Sequence, residues 1–251
     1  MRITSIIVLL TIILTLIMVC ACDDSDETVA FPDSNLEAAI REALEKPTGD
    51  ISKTEVEKLT RLEATNSGIR DITGIEHCTG LTLLWLDGNE ISDITPVSDL
   101  TGLNDLSLWR NKVADISPVA CLTNLTDLAL SDNLISDITP LSGLAKLTTL
   151  GIHTNHISDI SPISNLTTLT NLGIGTNQIM DIAPLSNLVN LEILGIGGNM
   201  ITDIVPLVEN EGFGEGDAID LQGNPLSEKS IGEYIPQLSE AGASVRWEKS
   251  G

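Results

Sequence analysis

LTDLALSDNLISDITPLSGLAK, residues 125–146, is the stretch on which the reading of this chain turns. In it Leu125, Leu128 and Leu130 are followed by Asn133 and Ile135, and then by Asp137-Ile138-Thr139-Pro140-Leu141. The alternation at Leu128 and Leu130 predicts a short strand with those two side chains turned inward. The same chemistry returns every 22 residues, at Asn89, Asn111, Asn133, Asn155, Asn177 and Asn199. Eight residues before each Asn stand Leu81, Leu103, Leu125, Leu147, Leu169 and Leu191. Leu or Ile recurs five and three before, and Ile or Val two after. An earlier copy uses Leu59, Leu62, Ala64 and Ile69, with Ser67 in the Asn place. That makes seven copies over residues 59–212, and an irregular one ends at Asn224-Pro225-Leu226 after a three-residue insertion.

The pattern L-x-x-L-x-L-x-x-N-x-I is identified as the leucine-rich repeat. One unit cannot bury its own apolar face, so neighbours must stack into a continuous core. The expected fold is an α/β solenoid: a curved parallel sheet on the concave side, with short 3₁₀ segments on the convex side. The second half of each unit, D-I-[ST]-P-[LIV]-x-x-[LC], leaves room for about one turn. Thr or Ser before Pro reads there as a helix start, with the hydroxyl as cap and Pro at the first helical position.

Residues 31–58 read as a helical N-terminal cap. Pro32-Asp33-Ser34 opens one helix, which Pro47-Thr48-Gly49 stops, and Ser52-Lys53-Thr54-Glu55 is a capping box for a second one to about Lys58. Residues 227–251 are expected to cap the far end, with a helix from Glu228 and a strand near Val245 and Trp247. Repeats occupy residues 59–226.

The N-terminus, residues 1–21, is a targeting segment: Arg2 precedes an apolar run from Ile3 to Cys20. Ala21-Cys22 at its end resembles a bacterial lipoprotein signal, in which a small residue precedes the Cys that becomes the lipidated first residue. Cys20 fits less well behind bulky Val19. An uncleaved anchor and ordinary cleavage are the other two readings. Residues 22–30 then form an acidic tether. Asp and Glu outnumber Lys and Arg by 36 to 13, for a net charge of −23. That balance argues against nucleic acid, which needs clustered cations. Cys78 and Cys121 read as free thiols, because two strand spacings hold them too far apart to bridge.

The 22-residue spacing with Asp-Ile-[Ser/Thr]-Pro resembles the bacterial internalin repeats. The cap sequence F-P-D-x-N-L-E-x-A-I-R, from Phe31, is similar to the start of that family. The resemblance runs from residue 31 to about 226. It implies a right-handed solenoid whose concave sheet binds another protein, as some internalins bind host surface receptors. The chain departs from the family pattern in its C-terminal part: no sorting sequence or cell-wall module is recognisable, and residues 227–251 are too few for an immunoglobulin-like domain. The resemblance therefore implies the fold and protein binding, and the fold alone does not decide which partner is bound.

Trp85 and Trp109 are the only aromatic residues in 59–212. Strand alternation turns both to the concave face, on adjacent strands, offset by two residues. The separation expected is about 8 Å between Cα atoms. Asp87, Arg110 and Lys112 lie beside them, and together these five read as a ligand-binding patch. His153 and His156 bracket Asn155, with His153 on the concave face and His156 past the strand end. They read as ligand contacts, since a metal would need a third ligand and only Asp132 is placed to supply one. Gly151, Gly173, Gly195, Gly175 and Gly197 leave the later strands bare. The Asn ladder reads as structural, satisfying backbone groups in each turn. The column Asp71, Asp93, Asp115, Asp137, Asp159, Asp181 and Asp203 reads as turn and cap groups rather than a calcium array. No catalytic triad, phosphate loop or paired carboxylate appears, and no cofactor or metal is expected. The chain is expected to be a monomeric, exported lipoprotein, at the membrane and facing the periplasm or exterior, that binds a protein ligand. The alternative is a structural or adhesive surface protein acting by self-association.

Overall fold

The computed structural model describes residues 27–248. The targeting segment and Cys22 lie outside the described residues. Nine strands of three residues each form one parallel sheet in chain order: β1 Arg61–Glu63, β2 Leu83–Trp85, β3 Asp105–Ser107, β4 Asp127–Ala129, β5 Thr149–Gly151, β6 Asn171–Gly173, β7 Ile193–Gly195, β8 Ala218–Asp220 and β9 Ser244–Arg246. From β1 to β7 each strand pairs with the next in a register shifted by 22 residues, so Leu62, Leu84, Leu106, Leu128, Leu150, Leu172 and Leu194 lie side by side. The sequence period thus becomes a spatial column. All seven of these side chains are buried. A buried Leu or Ile contributes about 2 kcal/mol before chain entropy is counted.

The Asn ladder closes the turns behind the strands. Asn133 accepts the Val113 N–H at 3.0 Å and donates to the carbonyls of Leu108 and Leu130 at 2.9 and 3.0 Å. Asn155, Asn177 and Asn199 repeat the arrangement one unit further each time. Asn224 continues it across the insertion, accepting the Ile201 N–H. Each amide satisfies backbone groups that would cost about 1–3 kcal/mol apiece if buried unpaired.

On the convex side 3₁₀ segments occupy Ile75–His77, Thr95–Asp99, Ser117–Cys121, Thr139–Gly143, Ser161–Ile163 and Ala183–Asn187. The expected hydroxyl caps are not what starts them. Thr139 is itself the first residue of its segment, and the carboxylate of Asp137 accepts its N–H at 2.8 Å. Asp181 and Asp203 do the same for Ala183 and Val205, where no hydroxyl exists. From Asp93 onward the Asp column is therefore the start signal, and Pro keeps its place in the first turn.

The seventh convex segment departs from the 3₁₀ expectation. The insertion gives it room to become an α-helix, Val205–Glu209. Asn210 follows it, buried where earlier repeats carry Leu166 and Leu188. Its amide donates to the carbonyls of Leu185 and Leu188 and its oxygen accepts the Gly212 N–H, which folds the insertion back onto the core.

The N-terminal cap holds helix α1, Ser34–Ala43, and helix α2, Lys53–Val56, the latter with its capping box formed. Helix α1 ends at Ala43 rather than at Pro47. Glu45 takes a left-handed conformation, φ 52°, and Lys46 N–H returns to the Arg41 carbonyl at 2.9 Å. Thr28 and Val29, at the end of the stretch expected as a tether, pack onto the cap. Thr28 bridges Ser52, Val29 N–H donates to the Ile51 carbonyl at 2.8 Å, and Val29 and Phe31 are buried. Val29, an apolar side chain in an acidic stretch, is buried there beside Phe31 of the cap. At the far end a π-turn, Ser230–Tyr234, runs into helix Ile235–Glu240, and β9 closes the sheet. Among the described residues no helix is long and apolar enough to cross a membrane.

Candidate functional site

The outward positions of the strands, and the residue two beyond each, form the concave face. Trp85 lies opposite Ser107 in the ladder, and Trp109 stands two residues past it, giving the offset expected from the sequence. The two rings differ in setting. Trp85 is half-buried and its indole N–H donates to Asp105 Oδ1 at 3.0 Å. Trp109 is 42% exposed, which makes it an available aromatic surface on a strip otherwise of small and polar groups. Arginine stacks on each: Arg61 lies 5.0 Å from the Trp85 ring centre, and Arg110 lies 5.4 Å from that of Trp109.

Asp87 sits between the strands. It accepts the Ser107 hydroxyl and, at 2.9 Å, the Trp109 N–H, so it orients the backbone that carries the ring. Arg110 takes a left-handed φ of 54° and lies 3.6 Å from Asp132. Lys112 is turned to another task. It binds Glu90 at 2.9 Å, and Arg70 reaches the same carboxylate at 3.1 Å. Hydrogen bonds from these two cations hold the Glu90 carboxyl below its ordinary range.

His153 continues the column of Asp87, Trp109 and Ser131; its N–H donates to Ser131 Oγ at 3.1 Å. It lines a shallow trough of about 350 Å³ with Gly173, Gly175, Gly195, Gly197, Asp220 and Gln222. His156 does not line it; its N–H binds the Ile135 carbonyl in the turn past the strand. Asp132 instead serves Arg110, and among the described residues no three His, Cys, Asp or Glu are grouped to hold a metal. Sequence reasoning missed Asp105 and Arg61, the direct partners of Trp85. Both lie on strands next to β2, so the 22-residue register would have found them.

The described geometry is matched by known proteins. The family model for leucine-rich repeats in two copies matches residues 101–143 and 123–166. Internalin C2 from Listeria monocytogenes is 33% identical, with the alignment covering 87% of this chain and 94% of that one at a TM-score of 0.79. The chain belongs to the internalin-like leucine-rich-repeat proteins. Two more distant structures share the fold alone. One is a leucine-rich-repeat protein of Leptospira interrogans, 18% identical over 76% of this chain and 62% of its own, TM-score 0.60. The other is the ectodomain of a plant membrane receptor kinase from Arabidopsis thaliana, solved with Casparian strip integrity factor 2. It is 19% identical over 71% of this chain and 22% of its own, TM-score 0.58. A comparison with curated protein sequences finds no match. As an internalin-like chain, the molecule is built on a scaffold of protein–protein interaction.

Proposed function

We propose that this internalin-like chain is an exported lipoprotein, anchored through Cys22, that binds a protein ligand on its concave face, with Trp85 and Trp109 at the centre of the contact. The observation that carries the reading is the exposure of Trp109 on a sheet whose core is complete without it. Exposed Trp with adjacent Arg is the composition of residues that dominate interfaces, each costing about 2 kcal/mol or more on truncation. His153 and the trough beside it extend the same strip. Binding, rather than catalysis, fits the leucine-rich-repeat scaffold that the chain shares with internalin C2. Export and anchoring rest on the residue 1–22 pattern, which the mass of the mature N-terminal peptide tests.

The test is affinity capture with the wild-type chain and a Trp85→Ala/Trp109→Ala variant. Capture of a defined partner should be lost in the variant. Circular dichroism should show the fold kept, with a modest fall in Tm from the Trp85–Asp105 hydrogen bond. A folded variant that still captures the partner would move the site away from these rings. Capture of the chain itself as sole partner would favour adhesion by self-association.

A further inference from the structure

The cations of the concave face are already engaged within the chain. Arg61 pairs with Glu63, Arg110 lies 3.6 Å from Asp132, and Arg246 lies 3.8 Å from Asp220. The carboxylates around the two tryptophans are not neutralised in this way. Asp87, Asp105 and Asp127 form no ion pair with Lys or Arg among the described residues. Asp105 and Asp127 lie opposite each other in the ladder. Each spends one oxygen locally: Asp105 Oδ1 on the Trp85 indole, Asp127 Oδ2 on the Thr126 hydroxyl. Asp105 Oδ2 and Asp127 Oδ1 accept no hydrogen bond among the described residues, and the Trp85 indole, bonded at its edge to Asp105, brings an aromatic face to the same patch. The chain's own arginines show what such a face accepts, since both tryptophans carry a guanidinium at 5.0 and 5.4 Å.

We propose that the Trp85–Trp109 patch receives an arginine or lysine side chain presented by the protein partner, held between the indole rings and the carboxylates of Asp105 and Asp127. The inference rests on the reading that the concave face binds a protein, and it specifies the partner's chemistry. Charge complementarity selects a cationic contact, because the local acidic groups exceed the local basic ones and the whole molecule carries −23. The aromatic rings add a short-range attraction that carboxylates alone do not supply.

The net charge would attract any cation weakly, so the experiment separates site from field. The purified full chain is titrated with an acetylated tetra-arginine amide, a tetra-citrulline analogue of the same shape without charge, and tetra-glutamate, following tryptophan fluorescence. Asp105→Asn/Asp127→Asn keeps both local hydrogen bonds, since an amide oxygen also accepts. Asp181→Asn/Asp203→Asn removes the same charge from the turn column. Tetra-arginine should bind at least about tenfold more tightly than tetra-citrulline, and the patch pair should weaken it about tenfold. The turn pair should weaken it less than about twofold, and added salt should not erase the difference. Equal weakening by both pairs, or equal binding of citrulline, overturns the proposal. If the Trp double variant loses a captured partner while the Asp pair leaves arginine binding unchanged, the face binds protein without a cation, and only this inference falls.

Discussion

Asp33 carries four backbone donors on two oxygens. Oδ1 accepts from Asn35 and Leu36 at the start of helix α1, and Oδ2 accepts from Arg70 and Asp71 in the first repeat. One side chain therefore caps the helix and pins it to the solenoid. Burial pushes its pKa up, but the four N–H groups outweigh that and hold it below the ordinary 3.8. A depressed folded-state pKa means stability that is present above the unfolded value and lost as pH falls through the folded one. Asp33→Asn should lower stability by about 1 kcal/mol at pH 7. Its Tm should approach that of the wild type as pH drops below about 4. Parallel Tm–pH curves for the two proteins would show that this carboxylate does not hold the cap. The sequence announced Asp33 as a helix start; its second pair of donors lies 37 and 38 residues away and needed the fold.

The strands show where glycine is structural and where it is optional. A Cβ at Gly197 would meet the Gln222 carbonyl at 2.8 Å, so the close approach of neighbouring turns requires Gly there. A Cβ at Gly173 or Gly195 would have no neighbour nearer than 3.9 Å. Gly173→Ala and Gly195→Ala should each stabilise the protein by about 0.5–1 kcal/mol, through the unfolded chain. Gly197→Ala should destabilise it. Urea unfolding midpoints measure all three, and a loss of stability at Gly173 would mean that β5–β7 pack more tightly than described. At the same scale the convex segments were legible as one-turn elements, and the sequence offered both the Asp column and the hydroxyls as caps without choosing between them. Thr139 and Asp137 are both adequate caps in sequence, and only the position of the first N–H decides between them.

Across the whole molecule the core is a single continuous column, so access to it depends on the ends. Cys78 lies at the end nearest the N-terminal cap, fully buried in the column continued by Leu100 and Leu122, and burial pushes its thiol up to about 12. Cys121 is one residue off that column and exposed. Iodoacetamide should therefore label Cys121 in the native protein, and Cys78 only on unfolding or on opening of the capped end. Peptide mapping separates the two sites. Labelling of Cys78 as fast as Cys121 would show that the cap leaves the first repeat accessible.

The period determined most of this molecule. A 22-residue recurrence of Leu, Leu, Leu or Ile, and Asn has one efficient burial solution, the parallel stack, because each unit's apolar face is covered only by its neighbours. Outward positions followed from strand alternation, which is why Trp85, Trp109 and His153 were placed on one face from sequence. Tertiary structure decided how those positions are used. It gave Lys112 to Glu90, set Asp105 on the Trp85 indole, drew Val29 into the cap and used Asn210 to close the insertion. These are contacts between different repeats or outside the repeats altogether. A period specifies what recurs along the chain, whereas the choice among several reachable partners depends on distances that exist only after stacking.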